Sequence, residues 1–167
     1  METNRLRLRR YRVEDLDDFL AIFSDPEVVR FEPYAPMTRE EAQSALQDRM
    51  GTAEFIAVER LSNHAVIGNV YLGQRDFQSL ELGYAFRRDC WGQGYARESC
   101  EALIDDAFAH GIHRIFAECD PENPASWRLL ERLGFSREGH LRQNVYFHTD
   151  AEGHPRWNDT FIYARLV

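Results

Sequence analysis

Leu82-Gly83-Tyr84-Ala85-Phe86, then Arg87-Arg88-Asp89-Cys90, then Trp91-Gly92-Gln93-Gly94-Tyr95-Ala96, runs from an apolar strand-like segment through a short loop into a glycine turn and a helix start. Glycine reaches positive φ at no steric cost and lets backbone N–H groups approach a ligand. The following helix directs its unpaired N–H groups and the positive end of its dipole at the same place. Such a turn suits a phosphate or pyrophosphate. A dinucleotide fingerprint would need Gly or Ala at position 97, where Arg97 stands, and would open an N-terminal βαβ unit. A Walker-type loop is excluded because no Gly-Lys-Ser/Thr closes the turn. On spacing alone, an anion cradle and an ordinary tight turn with a helix-start glycine both remain open.

Upstream of this stretch, Phe55-Ile56-Ala57-Val58, Val66 to Leu72 and Leu80 to Phe86 read as three strands with short connections, an antiparallel meander. Before them, Leu6 and Leu8 alternate with arginines as an opening strand. Val13, Leu16, Phe19, Leu20 and Phe23 recur at helical spacing until Asp25-Pro26. Phe31 to Met37 is a loop, and Thr38 with Glu41 is a capping box that starts a second helix running to about Gly51. Downstream, a helix spans Tyr95 to about His110 and ends at Gly111. Arg114 to Cys119 is a strand. Asn123 caps a fourth helix with Pro124 in its first turn, ending at Gly134. Two strands follow, from Phe135 and from Trp157 to Val167, joined by a polar loop at about Thr149 to Arg156. The order β-α-α-β-β-β-α-β-α-β-β predicts a mixed sheet with helices packed on it, an α/β (α+β) architecture.

The 167 residues suit one domain, 1–167, with no repeat or linker to divide it. Apolar residues at 44% and charged residues at 29% are ordinary globular values. The 28 acidic against 20 basic residues give a net charge of −8, which argues against nucleic acid as a partner. No run approaches the ~18 apolar residues of a membrane helix, and no signal sequence precedes the first strand. Cys90, Cys100 and Cys119 are odd in number and have no Cys-x-x-Cys spacing, so a reducing, cytoplasmic setting is expected and a disulfide framework is not. His110, His113, His140, His148 and His154 form no His-x-x-x-His pair, so no metal site is expected. No Gly-x-Ser-x-Gly elbow points to a hydrolase.

The glycine turn resembles the acetyl-CoA pyrophosphate loop of the GNAT acetyltransferase superfamily, whose signature is Gln/Arg-x-x-Gly-x-Gly/Ala. Gly94 and Ala96 match its last two fixed positions, while Trp91 replaces the usual Gln or Arg. Trp-Gly-x-Gly-Tyr-Ala is typical of the RimJ/RimL-like branch. Arg5-Leu6-Arg7-Leu8-Arg9, Asp25-Pro26-Glu27-Val28, Glu81-Leu82-Gly83-Tyr84, Asn123-Pro124-Ala125-Ser126, Leu133-Gly134-Phe135, Glu138-Gly139 and Trp157-Asn158-Asp159 occur in that branch's order and cover almost the whole chain. The resemblance implies a GNAT fold, a mixed, mostly antiparallel sheet of about seven strands with about four helices.

The resemblance also implies the site. The backbone of Tyr84, Ala85 and Phe86 would bond the pantetheine arm, in a strand that splays from its neighbour. The backbone N–H groups of Trp91, Gly92, Gln93, Gly94, Tyr95, Ala96 and Arg97 would surround the pyrophosphate. Core packing is the alternative for Leu82, Tyr84 and Phe86, and both can hold, because side chains and amides of a strand point different ways. Asn123 is a helix cap and, by family position, a coenzyme contact. The tyrosine that often protonates the departing thiolate is replaced by Leu130, and Ser126 is the serine that RimL-like members place by the thiol.

Attack on a thioester needs a neutral amine, and a peptide α-amine has a pKa of roughly 8. A carboxylate takes that proton directly or through water. A strand amide would then stabilise the tetrahedral oxyanion. The leaving thiol, with a pKa of roughly 8.5, needs only a weak acid. Glu118, late in its strand, and Glu81, at the start of the pantetheine-binding strand, both occupy family locations for a base, and each also reads as a strand-edge carboxylate. The implied reaction is direct acetyl transfer to a primary amine, foremost a protein or peptide N-terminal α-amine of the ribosomal-protein type. Alternatives are a small-molecule amine (aminoglycoside, polyamine or amino acid) and, in another class, a non-catalytic coenzyme-A-binding sensor. The acceptor surface would come from Phe31 to Met37, the second helix and the Thr149 to Arg156 loop. A homodimer is suggested by analogy alone.

Overall fold

The computed structural model describes residues 1–167. Strand β1 (Leu6–Arg9) buries Leu6 and Leu8 between its arginines. A 3-10 turn at Val13–Asp15 leads into α1 (Leu16–Phe23), which buries Phe19, Ile22 and Phe23 at helical spacing. Helix α2 (Arg39–Met50) starts at the capping box: the Glu41 N–H donates to Thr38 Oγ1 at 3.3 Å and the Thr38 N–H to Glu41 Oε2 at 2.8 Å.

Strands β2 (Phe55–Arg60), β3 (Val66–Arg75) and β4 (Ser79–Phe86) form the antiparallel meander. Helix α3 (Tyr95–Ala109) then carries the chain to β5 (Arg114–Cys119), which runs parallel to β4, the arrangement that a helical crossover permits. Helix α4 (Pro124–Arg132) precedes the hairpin of β6 (Ser136–Thr149) and β7 (Pro155–Leu166). Pairing in this hairpin continues to Thr149↔Pro155, so the connection is shorter than the polar composition of residues 149–156 suggests. The sheet has seven strands in the order β1-β2-β3-β4-β5-β7-β6.

Both faces of the sheet are covered. On one face, Leu80, Leu82, Phe86, Ile115 and Ala117 pack with Cys100 and Ile104 of α3 and Leu130 of α4. On the other, Ala57 and Val66 pack with Phe19, Ile22 and Phe23 of α1 and Ala42 and Leu46 of α2. Arg49, buried at the end of α2, lies over the rings of Phe19, Phe23 and Phe55 at 4.8, 4.3 and 4.7 Å and donates to Asn69 Oδ1 at 3.1 Å. Cation–π attraction and this hydrogen bond offset the loss of water around the guanidinium.

The sheet opens in its middle. Strands β4 and β5 pair only at Ser79↔Arg114, Leu80↔Ile115 and Glu81↔Phe116. Beyond that, β4 stays with β3 as far as Gly68↔Phe86, and β5 stays with β7 as far as Cys119↔Phe161. Gly68, paired with Phe86 beside the fork, makes room for that ring: a Cβ there would lie 2.3 Å from it. Gly68→Ala is expected to destabilise the fold by about 1–3 kcal/mol, the usual cost of overpacking. Thermal or urea unfolding measures this, and unchanged stability would show that the Phe86 ring is free to move aside.

Candidate active site at the strand fork

The Arg87 N–H donates to the Ile67 carbonyl at 2.9 Å. Peptide groups alternate sides along an antiparallel ladder, so Gly83 and Ala85 also turn theirs toward β3. Leu82, Tyr84 and Phe86 turn theirs into the fork. Ala85, opposite Asn69, therefore spends its peptide group in the ladder. The Phe86 carbonyl accepts the Trp91 indole N–H at 2.8 Å. Tyr84 faces the gap with no strand opposite it, and its N–H and carbonyl are the ones placed to meet an extended ligand arm.

The glycine turn sits at the open end of the fork. Gly92 and Gly94 have φ of 72° and 83°, in the left-handed region where a Cβ is strained. The first helical bond of α3 runs from the Glu98 N–H to the Gly94 carbonyl at 3.0 Å. The N–H groups of Tyr95, Ala96 and Arg97 thus have no helical acceptor, and Gly94 has no side chain to cap them. An anion fits this end of the helix. The Trp91 indole ties the loop to the end of β4. The Gln93 side chain is turned inward, donating from Nε2 to the Asp89 carbonyl at 2.7 Å.

The arginines around the turn are paired. Arg87 meets Asp89 at 2.9 Å and Asp18 at 3.7 Å, Arg88 meets Asp25 at 3.5 Å, and Arg97 meets Glu101 at 3.7 Å. The basic flank legible along the chain is therefore largely neutralised, and the turn's attraction for anions rests on its amides.

On the α3/α4 face of the fork, the Asn123 carboxamide oxygen accepts the Ser126 N–H at 3.2 Å, as a helix cap does. The Tyr84 hydroxyl reaches α4, donating to the Ser126 carbonyl at 3.0 Å and lying 3.1 Å from Ser126 Oγ. Burial pushes the Tyr84 phenol above its ordinary range. It is a neutral partner that orients Ser126. Leu130 is fully buried in the core, so this position of α4 offers no proton donor.

The two candidate carboxylates lie on the opposite face. Glu81 is paired in register with Phe116, so Glu81, Phe116 and Glu118 share the side of the sheet that carries α1 and α2. Their surroundings differ. Glu81 is ion-paired with Arg75, which also donates to the Tyr71 hydroxyl at 3.1 Å. Glu118, two residues past the last β4–β5 pair, has no ion pair. Its side chain is exposed at the fork, yet partial desolvation by its neighbours raises its carboxyl above the usual range, and the Glu81 charge raises it further. A carboxylate with a raised pKa and no cation partner is the better proton acceptor near neutral pH.

The cysteines offer no nucleophile. Burial pushes the Cys119 thiol up to about 11 and the Cys100 thiol up to about 12, so neither supplies thiolate near neutral pH. Asp150, Glu152 and His154 converge at the β6–β7 turn, where Asp150 Oδ1 accepts the backbone N–H groups of Glu152 and His154, a turn-forming role. A cavity of about 570 Å³ lies behind α4, lined by Trp127, Arg137 and Phe161, and contains none of the candidate residues. An open depression of about 430 Å³ beside Glu118 is lined by Arg75, Asp76, Phe77, Arg114 and Phe116. No helix is long and apolar enough to cross a membrane.

Comparison with known proteins shows the family and the fold. A profile of the acetyltransferase (GNAT) domain matches residues 5–136. The N-acetyltransferase p20 of Bacillus licheniformis is 34% identical over 149 residues, 84% of this chain and 84% of its own. The N-acetyltransferase YnaD of Bacillus subtilis (strain 168) is 29% identical over 170 residues, 98% of this chain and 95% of its own. An acetyltransferase (GNAT family) from Bacillus anthracis has a solved structure with a TM-score of 0.90 at 26% identity, covering 99% of this chain and 97% of its own. More distant relatives differ in acceptor. The ribosomal-protein-serine acetyltransferase of Escherichia coli (strain K12) is 27% identical over 148 residues, 73% of this chain and 79% of its own. The spermidine N-acetyltransferase from Vibrio cholerae, solved with CoA and spermine, shares the fold with a TM-score of 0.80 at 22% identity, over 98% of this chain and 96% of its own.

Proposed function

The chain belongs to the GNAT acetyltransferase family, in its RimJ/RimL-like branch, and we propose that it moves the acetyl group of acetyl-CoA directly onto a protein or peptide N-terminal α-amine. The observation that carries this reading is the β4–β5 fork, with a glycine turn at its open end, Tyr84 and Ser126 on one face and the unpaired Glu118 on the other. The amides of Gly92 to Arg97 hold the pyrophosphate, and the Tyr84 peptide group holds the pantetheine arm in the gap. The gap joins the two faces of the sheet, so a thioester threaded through it meets an amine arriving from the α1/α2 side.

Glu118 takes the ammonium proton, directly or through water, and leaves the amine lone pair free to attack. The new C–N bond forms as the carbonyl becomes an oxyanion, which a fork amide of β4 stabilises. The C–S bond then breaks, and Ser126, held by Tyr84 and Asn123, stabilises or protonates the departing sulfur. Asn123 keeps its carboxamide nitrogen for the coenzyme while its oxygen caps α4.

The surface beside Glu118 favours a peptide over a compact polycation. Arg75 and Arg114 line it together with Asp76 and Glu118, so it is open and of mixed charge rather than a closed acidic cup. The test is an acceptor screen with acetyl-CoA that compares N-terminal peptides with spermidine, amino acids and aminoglycosides by thiol release. Faster turnover of peptides is expected. Preference for a free amine would replace this acceptor assignment with the small-molecule one.

A further inference from the structure

We propose that Arg5, in the segment leading into β1, is the positioning residue that aims the glycine turn at its anion. The inference rests on the reading of that turn as the pyrophosphate site. Arg5 NH1 donates to the Gln93 carbonyl at 3.0 Å. Arg5 Nε donates to Glu98 Oε2 at 2.7 Å, and the guanidinium lies 4.4 Å from the centre of the Tyr95 ring. Arg5 thus touches the turn, the first residue of α3 and the next turn of that helix at once.

The contact with Gln93 has a directional consequence. The peptide bonds are all trans, and in a trans peptide the carbonyl and the following N–H point opposite ways. With the Gln93 carbonyl drawn to Arg5, the Gly94 N–H points away from it. Gly94 itself sits at φ 83°, one of several conformations open to a glycine, and a contact to the neighbouring peptide narrows that choice. Arg5 NH2 lies 3.4 Å from where a Gly94 Cβ would be, close enough to brace that backbone.

Arg5 also solves a charge conflict. Glu98 places a carboxylate one turn into the helix whose start should attract an anion. Its oxygens accept the Thr3 hydroxyl at 2.6 Å, the Arg5 N–H at 2.9 Å and the Arg5 side chain. Burial opposes ionisation of Glu98, but these donors hold its carboxyl below the usual range. The charge is therefore present and is matched by Arg5. A planar guanidinium can serve the carbonyl, the carboxylate and the aromatic ring together, which a lysine ammonium cannot.

The experiment measures KM and kcat of wild type, Arg5→Ala and Arg5→Lys with acetyl-CoA and with S-acetylpantetheine, which lacks the pyrophosphate. CoA affinity is measured by calorimetry alongside. Both variants are expected to raise KM for acetyl-CoA and Kd for CoA by about 10- to 100-fold, the weight of one charge-assisted hydrogen bond. KM for S-acetylpantetheine and kcat should stay near wild type. Adding Glu98→Gln to Arg5→Ala should recover part of the CoA affinity, because it removes the unmatched charge. Parallel losses with both acetyl donors, or unchanged CoA binding in the variants, would overturn the proposal. Failure of the wild type to bind CoA would instead overturn the reading of the turn. If Arg5→Ala does not fold, Arg5→Lys is read against the same two donors.

Discussion

Glu118→Gln is expected to lower kcat for acetyl transfer by about 100- to 10,000-fold, the range that a positioned general base contributes. Glutamine keeps the shape of the side chain and cannot take a proton. KM for acetyl-CoA should hold, because Glu118 lies on the α1/α2 face and the coenzyme-facing groups on the other. The pH profile separates a base from a strand-edge carboxylate. Partial desolvation and the Glu81 charge raise the Glu118 carboxyl, so its basic form is lost as pH falls through a value above the ordinary carboxylate range. The wild-type kcat/KM profile should show that acidic limb, and Glu118→Gln should lack it. Glu81→Gln should move the limb to lower pH, since removing a neighbouring negative charge lets Glu118 ionise more easily. Its effect on kcat should be smaller, because Arg75 already engages Glu81. Turnover unchanged in Glu118→Gln would show that the proton leaves by another route.

Gly94→Asp is expected to weaken CoA binding by about 1,000- to 10,000-fold. Two effects add. An L-residue at φ 83° costs roughly 1–2 kcal/mol in the left-handed region, which tends to swing the turn out of position. A carboxylate near the pyrophosphate adds repulsion of about 4 kcal/mol for unit charges 4 Å apart at an effective dielectric constant of 20, enough for about 1,000-fold. The new carboxylate also lies beside Arg5, which it would draw from the Gln93 carbonyl. Calorimetric titration with CoA measures the loss, and raising the salt concentration should recover part of it by screening. CoA affinity equal to wild type would remove the pyrophosphate from this turn.

The elements that frame the site were legible along the chain because their signals are local. The Thr38–Glu41 box, the Asn123 cap with Pro124, and Gly111 with its positive φ each act within a few residues, and the helices begin and end there. The strand Arg114–Cys119 follows from its own apolar alternation. The glycine turn belongs to the same class, since its conformation is a property of Gly92 and Gly94 themselves. Its ligand was legible only by resemblance, for the spacing alone left a plain turn equally open.

The site's working details were less legible. Glu81 and Glu118 look alike along the chain, and Arg75, six residues from Glu81 across a hairpin, distinguishes them. The alternation of Leu82, Tyr84 and Phe86 predicts a buried side and an amide side, and the structure adds that the Tyr84 hydroxyl crosses to Ser126, 42 residues away. Arg49 belongs to a helix of polar composition and is buried among three phenylalanines.

By itself, the sequence determined the order of elements, the glycine turn at the head of α3 and the acetyltransferase family. These rest on backbone preferences and side-chain periodicities that neighbouring residues impose. The tertiary structure decided how far β4 and β5 pair before they part, which carboxylate stays without a cation, and which arginine contacts the turn. Arg5 and Glu98 are 93 residues apart, and Glu118 is defined by what the fork leaves open beside it. Such relations depend on how the sheet packs, and packing is a property of the whole chain.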